Sequence, residues 1–145
     1  MKNKTIRVAL FIVYLITALA GLIFASLYLF RGEFMPYHEV AVGKSWQMLN
    51  NEYQILILAL MRVSGGGWLA TSVAILLLLF GPLRKGMYWP YYAIPIIGLA
   101  ALIPSLVATL YVKIHSLADP PYLLAAVLSG LLIIALVISL ISKHK

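Results

Sequence analysis

The sequence predicts an all-α integral membrane protein: a four-helix bundle with a 23-residue outer segment, residues 31–53, between its first and second spans. Three observations predict it. Hydrophobic residues make up 63% of the 145, against roughly 45–50% in a soluble domain. Charged residues make up 10%, against about 25%, and a water-soluble domain this small cannot hide so much apolar surface. The apolar residues also fall into four long runs, each with at least the ~20 residues that cross the hydrocarbon as a helix. Helices follow because every backbone N–H and C=O must be satisfied within the span. The polar–apolar alternation of a barrel strand is absent. One membrane domain, 1–145, is expected, with spans at about 8–30, 54–80, 90–112 and 121–141.

The first run follows Lys2, Lys4 and Arg7 and continues to Phe30 without a charge. Ala18-Leu19-Ala20 resembles a signal-peptide cleavage site, but the run passes it by ten residues, so a retained span is expected. Within it Tyr14, Ala18, Gly21, Ala25 and Tyr28 recur at spacings of four and three, a close-packing stripe. In the outer segment, Asn51-x-x-Gln54 resembles a capping box that opens the second span. Trp46 and Tyr53 are expected at one membrane interface, and Trp89, Tyr91 and Tyr92 at the other. Gly81-Pro82 should stop the second span, since proline lacks the N–H and crowds the preceding turn. Pro95 and Pro104 should kink the third. Asp119-Pro120-Pro121 reads as an N-cap with proline at the start of the fourth.

Seven of the lysines and arginines (Lys2, Lys4, Arg7, Arg84, Lys85, Lys143 and Lys145) fall on one side of this arrangement, and Arg31, Lys44 and Lys113 on the other. The bias places both termini in the cytoplasm. All four acids, Glu33, Glu39, Glu52 and Asp119, lie on the outer side. The net charge of +7 comes from run ends and not from a basic patch, so no nucleic-acid partner is expected. The absence of cysteine excludes disulfides and thiolate chemistry. No nucleophile elbow, phosphate loop or dinucleotide fingerprint is present, and no cofactor is expected.

Arg62 is the most informative residue. It lies about eight residues into the second run, roughly 12 Å along a helix, where a lipid-facing arginine costs at least ~2–3 kcal/mol. It should therefore meet an anion inside the bundle, or snorkel outward. Gly66 and Ala70 share its face, at i+4 and i+8. Two accounts stand open: a structural ion pair with an outer carboxylate, Glu39 or Glu33 foremost, or a polar pocket centred on Arg62. Gly66 is expected to be a close-packing glycine, with Gly66→Leu damaging. His38 beside Glu39 is a candidate acid–base pair. Ser105 and Thr109, at i and i+4, either cover backbone groups freed by Pro104 or line the pocket of Arg62. The expected ligand-binding set is Arg62, Gly66, His38, Glu39, Ser105 and Thr109. His38, Glu39, His115 and Asp119 make a nitrogen–oxygen set, but without metal-ligand spacing no metal is expected.

The runs Phe34-Met35-Pro36-Tyr37-His38, Gly43-Lys44-Ser45-Trp46 and residues 60–69, LMRVSGGGWL, resemble those of a group of small bacterial four-helix membrane proteins. The likeness continues through Thr109-Leu110-Tyr111-Val112 and Pro120-Pro121. In length and span number the chain is also loosely similar to the DoxX-like group. The resemblance implies a bacterial cytoplasmic membrane and a four-helix bundle, but no reaction. Three functions are open. The chain binds a small amphipathic or lipid-like molecule in the outer half of the bundle. It is a subunit or assembly factor of a larger membrane complex or homo-oligomer. Or it is an enzyme acting on a lipophilic substrate.

Overall fold

The computed structural model describes residues 4–142; Lys2, Lys143 and Lys145 of the charge count lie outside them. Five helices form: α1 (Lys4–Phe30), α2 (Pro36–Val42), α3 (Asn51–Leu78), α4 (Pro90–His115) and α5 (Tyr122–Ser142). A 3₁₀ turn occupies Trp46–Met48, and a π turn, Leu79–Leu83, prolongs α3. No strand occurs among the described residues. The protein is an all-α, multi-pass membrane bundle, because α1, α3, α4 and α5 are each long and apolar enough to span.

The bundle is two tightly packed antiparallel pairs, α1 with α3 and α4 with α5. Small residues set the register. The buried face of α1 includes Tyr14, Ala18, Gly21, Ala25 and Tyr28, the expected stripe. Gly21 lies against Trp68 and Ser72 of α3, and Gly65 against Ala25, Tyr28 and Leu29 of α1. In the other pair Gly98 lies against Leu132. A common core of Tyr14, Ile75, Leu79, Ile94, Leu102 and Leu132 joins the two pairs.

Prolines are accommodated rather than avoided. Pro82 sits inside the π turn, so Gly81-Pro82 does not stop the helix as expected. The wider turn gives the ring room. The helix ends instead at Gly86, whose φ of 82° allows the Gly86 N–H to reach the Leu83 carbonyl and the Met87 N–H to reach that of Pro82, a Schellman ending. Pro95 leaves the Tyr91 carbonyl without its helical donor. The buried Tyr14 hydroxyl of α1 donates to that carbonyl at 3.0 Å.

Two cap expectations are corrected. Asn50, not Asn51, is the N-cap of α3. The Gln54 amide donates backward to the carbonyls of Trp46 (2.8 Å) and Leu49 (3.2 Å), which ties the 3₁₀ turn to α3 in place of a capping box. Asp119 accepts a 2.8 Å hydrogen bond from Lys113, because the end of α4 brings that ammonium to it.

The register also fixes levels along the bundle. The Gly21 and Gly65 contacts bring Arg62 level with the Phe30–Arg31 end of α1. At the end that carries both termini, Arg7 donates to the Tyr91 hydroxyl at 3.3 Å, which sets Arg7, Arg84 and the start of α4 at one height. Between the two levels each long helix has about 22 residues, roughly 33 Å, matching a ~30 Å hydrocarbon layer. α3 with its π turn is 33 residues, about 50 Å. Its first three turns therefore rise beyond the Arg62 level at the distal end. There they pack with α2 and the 3₁₀ turn into a cap around Phe34, Met61, Trp46 and Ile57.

Candidate functional site

The cap creates the site. Met35 is the N-cap of α2 and Pro36 its first residue, where the ring costs no hydrogen bond and presets φ. His38 follows at the third helical position, where a capping box would place Glu or Gln. Its ring takes that role: Nδ1 accepts the Met35 backbone N–H at 3.3 Å. Gly43, at φ 70°, closes α2 by donating to the Glu39 carbonyl at 2.9 Å. The His38 ring is thus fixed on a helix barely two turns long.

Aromatic rings enclose it. Tyr37 lies edge-on at 4.3 Å between centroids, Tyr28 at 6.2 Å and Phe34 at 6.3 Å. The hydroxyls of Tyr28 and Tyr37 share a hydrogen bond. Between α2 and α3 runs a groove of about 330 Å³, walled by Phe34, His38, Ala41, Ile57, Leu60 and Met61, with Tyr28 at its base. That volume lies in the range of small-molecule sites, roughly 300–1,000 Å³. Burial pulls the His38 pKa below the ordinary histidine value, so the ring is neutral at pH 7. With Nδ1 accepting, the proton resides on Nε2, the ring's remaining hydrogen-bonding atom and a donor. The groove has a long apolar wall with the fixed His38 ring set in it, at the end of the bundle where α1 gives way to α2.

The six expected site residues do not converge. Only His38 lines this groove. Glu39 is exposed on α2, and the His38 Nδ1 bonds the Met35 N–H, so the expected carboxylate–histidine pair is not formed. Arg62 is exposed and pairs with none of the four carboxylates; the ion pairs among the described residues are Arg31–Glu33 at 3.0 Å and Lys113–Asp119 at 2.8 Å. The buried pair and the Arg62-centred pocket are both corrected. Arg62 is exposed on α3 and stands level with the Phe30–Arg31 end of α1, so the bundle holds no buried charge there to neutralise. Gly66, on the same face, has open space where a side chain would stand; the close-packing glycine of the run is Gly65.

Ser105 and Thr109 come together elsewhere, beside Gly21, Phe24, Trp68 and Leu128, in a crevice of about 60 Å³. That is far below the roughly 300–1,000 Å³ of small-molecule sites. Their hydroxyls are already committed, Ser105 to the Ala101 carbonyl at 2.9 Å and Thr109 to that of Ser105 at 2.8 Å. The carbonyl that Pro104 frees is that of Ala100, one residue away, so the expected cover is not provided. His115 stacks on Tyr111 and donates from Nδ1 to its carbonyl. Among the described residues no three potential metal ligands gather.

Sequence reasoning missed Tyr28, Phe34, Tyr37, Ile57 and Met61. The aromatic density of Phe34-Met35-Pro36-Tyr37-His38 was the available signal, with Tyr28 at the end of the α1 stripe. Ile57 and Met61 sit in an apolar run that reads as lipid-facing. No family model, curated protein or solved structure matches the chain.

Proposed function

We propose that the protein binds a small amphipathic, lipid-like molecule in the groove between α2 and α3. One observation carries the proposal: an apolar groove of about 330 Å³ at the membrane boundary has a fixed, neutral histidine in its wall. The apolar part of the ligand lies along Phe34, Ile57 and Met61. Its polar end presents an acceptor, such as an ester carbonyl or a carboxylate, to the His38 Nε2–H. The test is native mass spectrometry of the full chain released from its membrane. A lipophilic adduct is expected on the wild type, lost in Ala41→Trp, which fills the groove, and weakened in His38→Gln. If Ala41→Trp retains every adduct of the wild type, the ligand lies elsewhere and the proposal is defeated.

A second function, as a subunit or assembly factor of a larger complex, is favoured by the part of α3 beyond the Arg62 level. There Ile55, Leu56 and Leu60 are 55–61% exposed outside the span of the hydrocarbon, a surface suited to another protein. A stoichiometric partner lost on Leu56→Glu would support it.

We further infer a bacterial cytoplasmic membrane with both termini inside and the cap facing out. The Lys and Arg bias supports the orientation, and the likeness to small bacterial four-helix membrane proteins, more loosely to the DoxX-like group, supports the compartment. Reporter fusions after Lys145 and within residues 31–53 should read oppositely; matching readouts would refute the threading.

A further inference from the structure

The end that carries both termini holds a second groove, of about 420 Å³. Lys4, Arg7 and Arg84 stand around it, above a wall of Val8, Phe11 and Leu83. Arg7 is anchored through its Nε–H to the Tyr91 hydroxyl at 3.3 Å. The guanidinium keeps its other donors for a partner. The four Asp and Glu side chains, at positions 33, 39, 52 and 119, lie at the opposite end. Three cations therefore meet in one groove with no carboxylate side chain of the described residues in reach, those carboxylates standing at the distal level roughly 33 Å away.

The apolar wall continues away from the cations. Phe11 packs edge-on against Phe80 at 5.9 Å. Val8, Ile12 and Phe80 are each about half exposed, forming an open apolar track that runs from the groove toward the middle of the bundle. A water-soluble anion uses only the cations. A molecule carrying a negative headgroup on an acyl chain uses both halves.

We propose that this groove is a binding site for an anionic phospholipid of the leaflet on the side of the termini. Its phosphodiester sits among Lys4, Arg7 and Arg84, and one acyl chain follows Val8, Ile12 and Phe80. Basic pockets between spans are suited to such headgroups. Arginine contributes paired donors to two phosphate oxygens, and lysine a point charge. A zwitterionic lipid carries its own cation and gains far less from the site.

The test uses the full chain in a neutral maltoside detergent, with thermal unfolding followed by tryptophan fluorescence. It is titrated separately with short-chain phosphatidylglycerol, phosphatidylcholine and inorganic phosphate. In an Ala41→Trp background, which fills the groove between α2 and α3, phosphatidylglycerol is expected to raise the unfolding midpoint with a saturable dependence; the other two are not. In Lys4→Gln/Arg84→Gln the half-saturating concentration should rise roughly thirtyfold, the effect of two interfacial cations. Lys44→Gln/Arg62→Gln removes the same charge at the far end, beyond the ~10 Å screening length, and should leave it nearly unchanged. If the first double variant does not fold, Arg84→Gln alone should weaken binding about fivefold. Equal half-saturation in the groove variants and the wild type overturns the site. An equal response to phosphatidylcholine overturns its charge selectivity, and a phosphate response as large as that of the lipid reassigns it to a soluble anion.

Discussion

Adding one methyl group at Gly65 tests the packing that sets every level in this bundle. A Cβ there would stand 3.0 Å from Leu29 Cγ, 3.0 Å from Tyr28 Cβ and 3.1 Å from the Ala25 carbonyl oxygen. Two of these atoms belong to or adjoin the α1 backbone, so no rotamer change clears them, and α1 must move away from α3. At Gly66 the same methyl meets nothing within 4 Å. Both positions lie inside α3, so Gly→Ala gains the same helix propensity at each, about 1 kcal/mol. The difference between the two variants isolates the overpacking penalty, about 1–3 kcal/mol. Gly66→Ala should be neutral or stabilising, and Gly65→Ala less stable than it by that margin. Reversible unfolding in mixed micelles of rising dodecyl sulfate fraction, followed by circular dichroism, measures the gap. A Gly65→Ala protein as stable as Gly66→Ala would refute the α1–α3 register, and with it the level assigned to Arg62.

Three further predictions follow from the same contacts. Tyr14→Phe should cost about 0.6–1.7 kcal/mol, and less in a Pro95→Ala background, where the new N–H takes the Tyr91 carbonyl; an equal cost in both backgrounds would show that Tyr14 does not serve the proline. His38 is held below the ordinary 6.5 by burial, so the unfolded chain takes up a proton before the folded one. Stability should be complete above pH 6.5, fall as pH drops from there through the folded value, and lose that dependence in His38→Gln; a pH profile unchanged by the substitution would refute it. Since the chain has no cysteine, Arg62→Cys can be probed with a membrane-impermeant maleimide. It should react as readily as Arg31→Cys, while Leu77→Cys, lipid-facing and near mid-span, stays unlabelled; equal protection of positions 62 and 77 would place Arg62 inside the hydrocarbon.

The four spans were legible because hydropathy over ~20 residues is a strong, local signal. The α1 stripe was legible because helical spacing puts its five small and aromatic residues on one face. The depth of Arg62 was not. Ile55 to Met61 read as membrane, yet Ile57, Leu58 and Met61 pack into the cap, and only the contacts of Gly21 and Gly65 with the opposite helix reveal the offset. Hydropathy carries no information on register between helices far apart in sequence. For the same reason Gly65 and Gly66 could not be told apart, since one turns toward α1 and its neighbour away. His38 was picked out from its chemistry, but with the wrong companion. Glu39 is adjacent in sequence, whereas a helix turn directs adjacent residues apart, and the fold brings Tyr28 and Phe34 from other elements to the ring. Lys4, Arg7 and Arg84 were counted only for orientation, because their convergence depends on how α1, α3 and α4 meet.

The proposal that the cap shelters a lipid-like molecule is tested most directly by cross-linking. The full chain in phosphatidylcholine vesicles would be irradiated with a diazirine-bearing fatty acid, and the modified residues mapped by peptide mass spectrometry. Adducts should concentrate on Phe34, Ile57, Met61 and their groove neighbours and disappear from them in Ala41→Trp. Adducts spread evenly over lipid-facing positions such as Val63, Val107 and Val127, with no enrichment in the groove, would contradict the account.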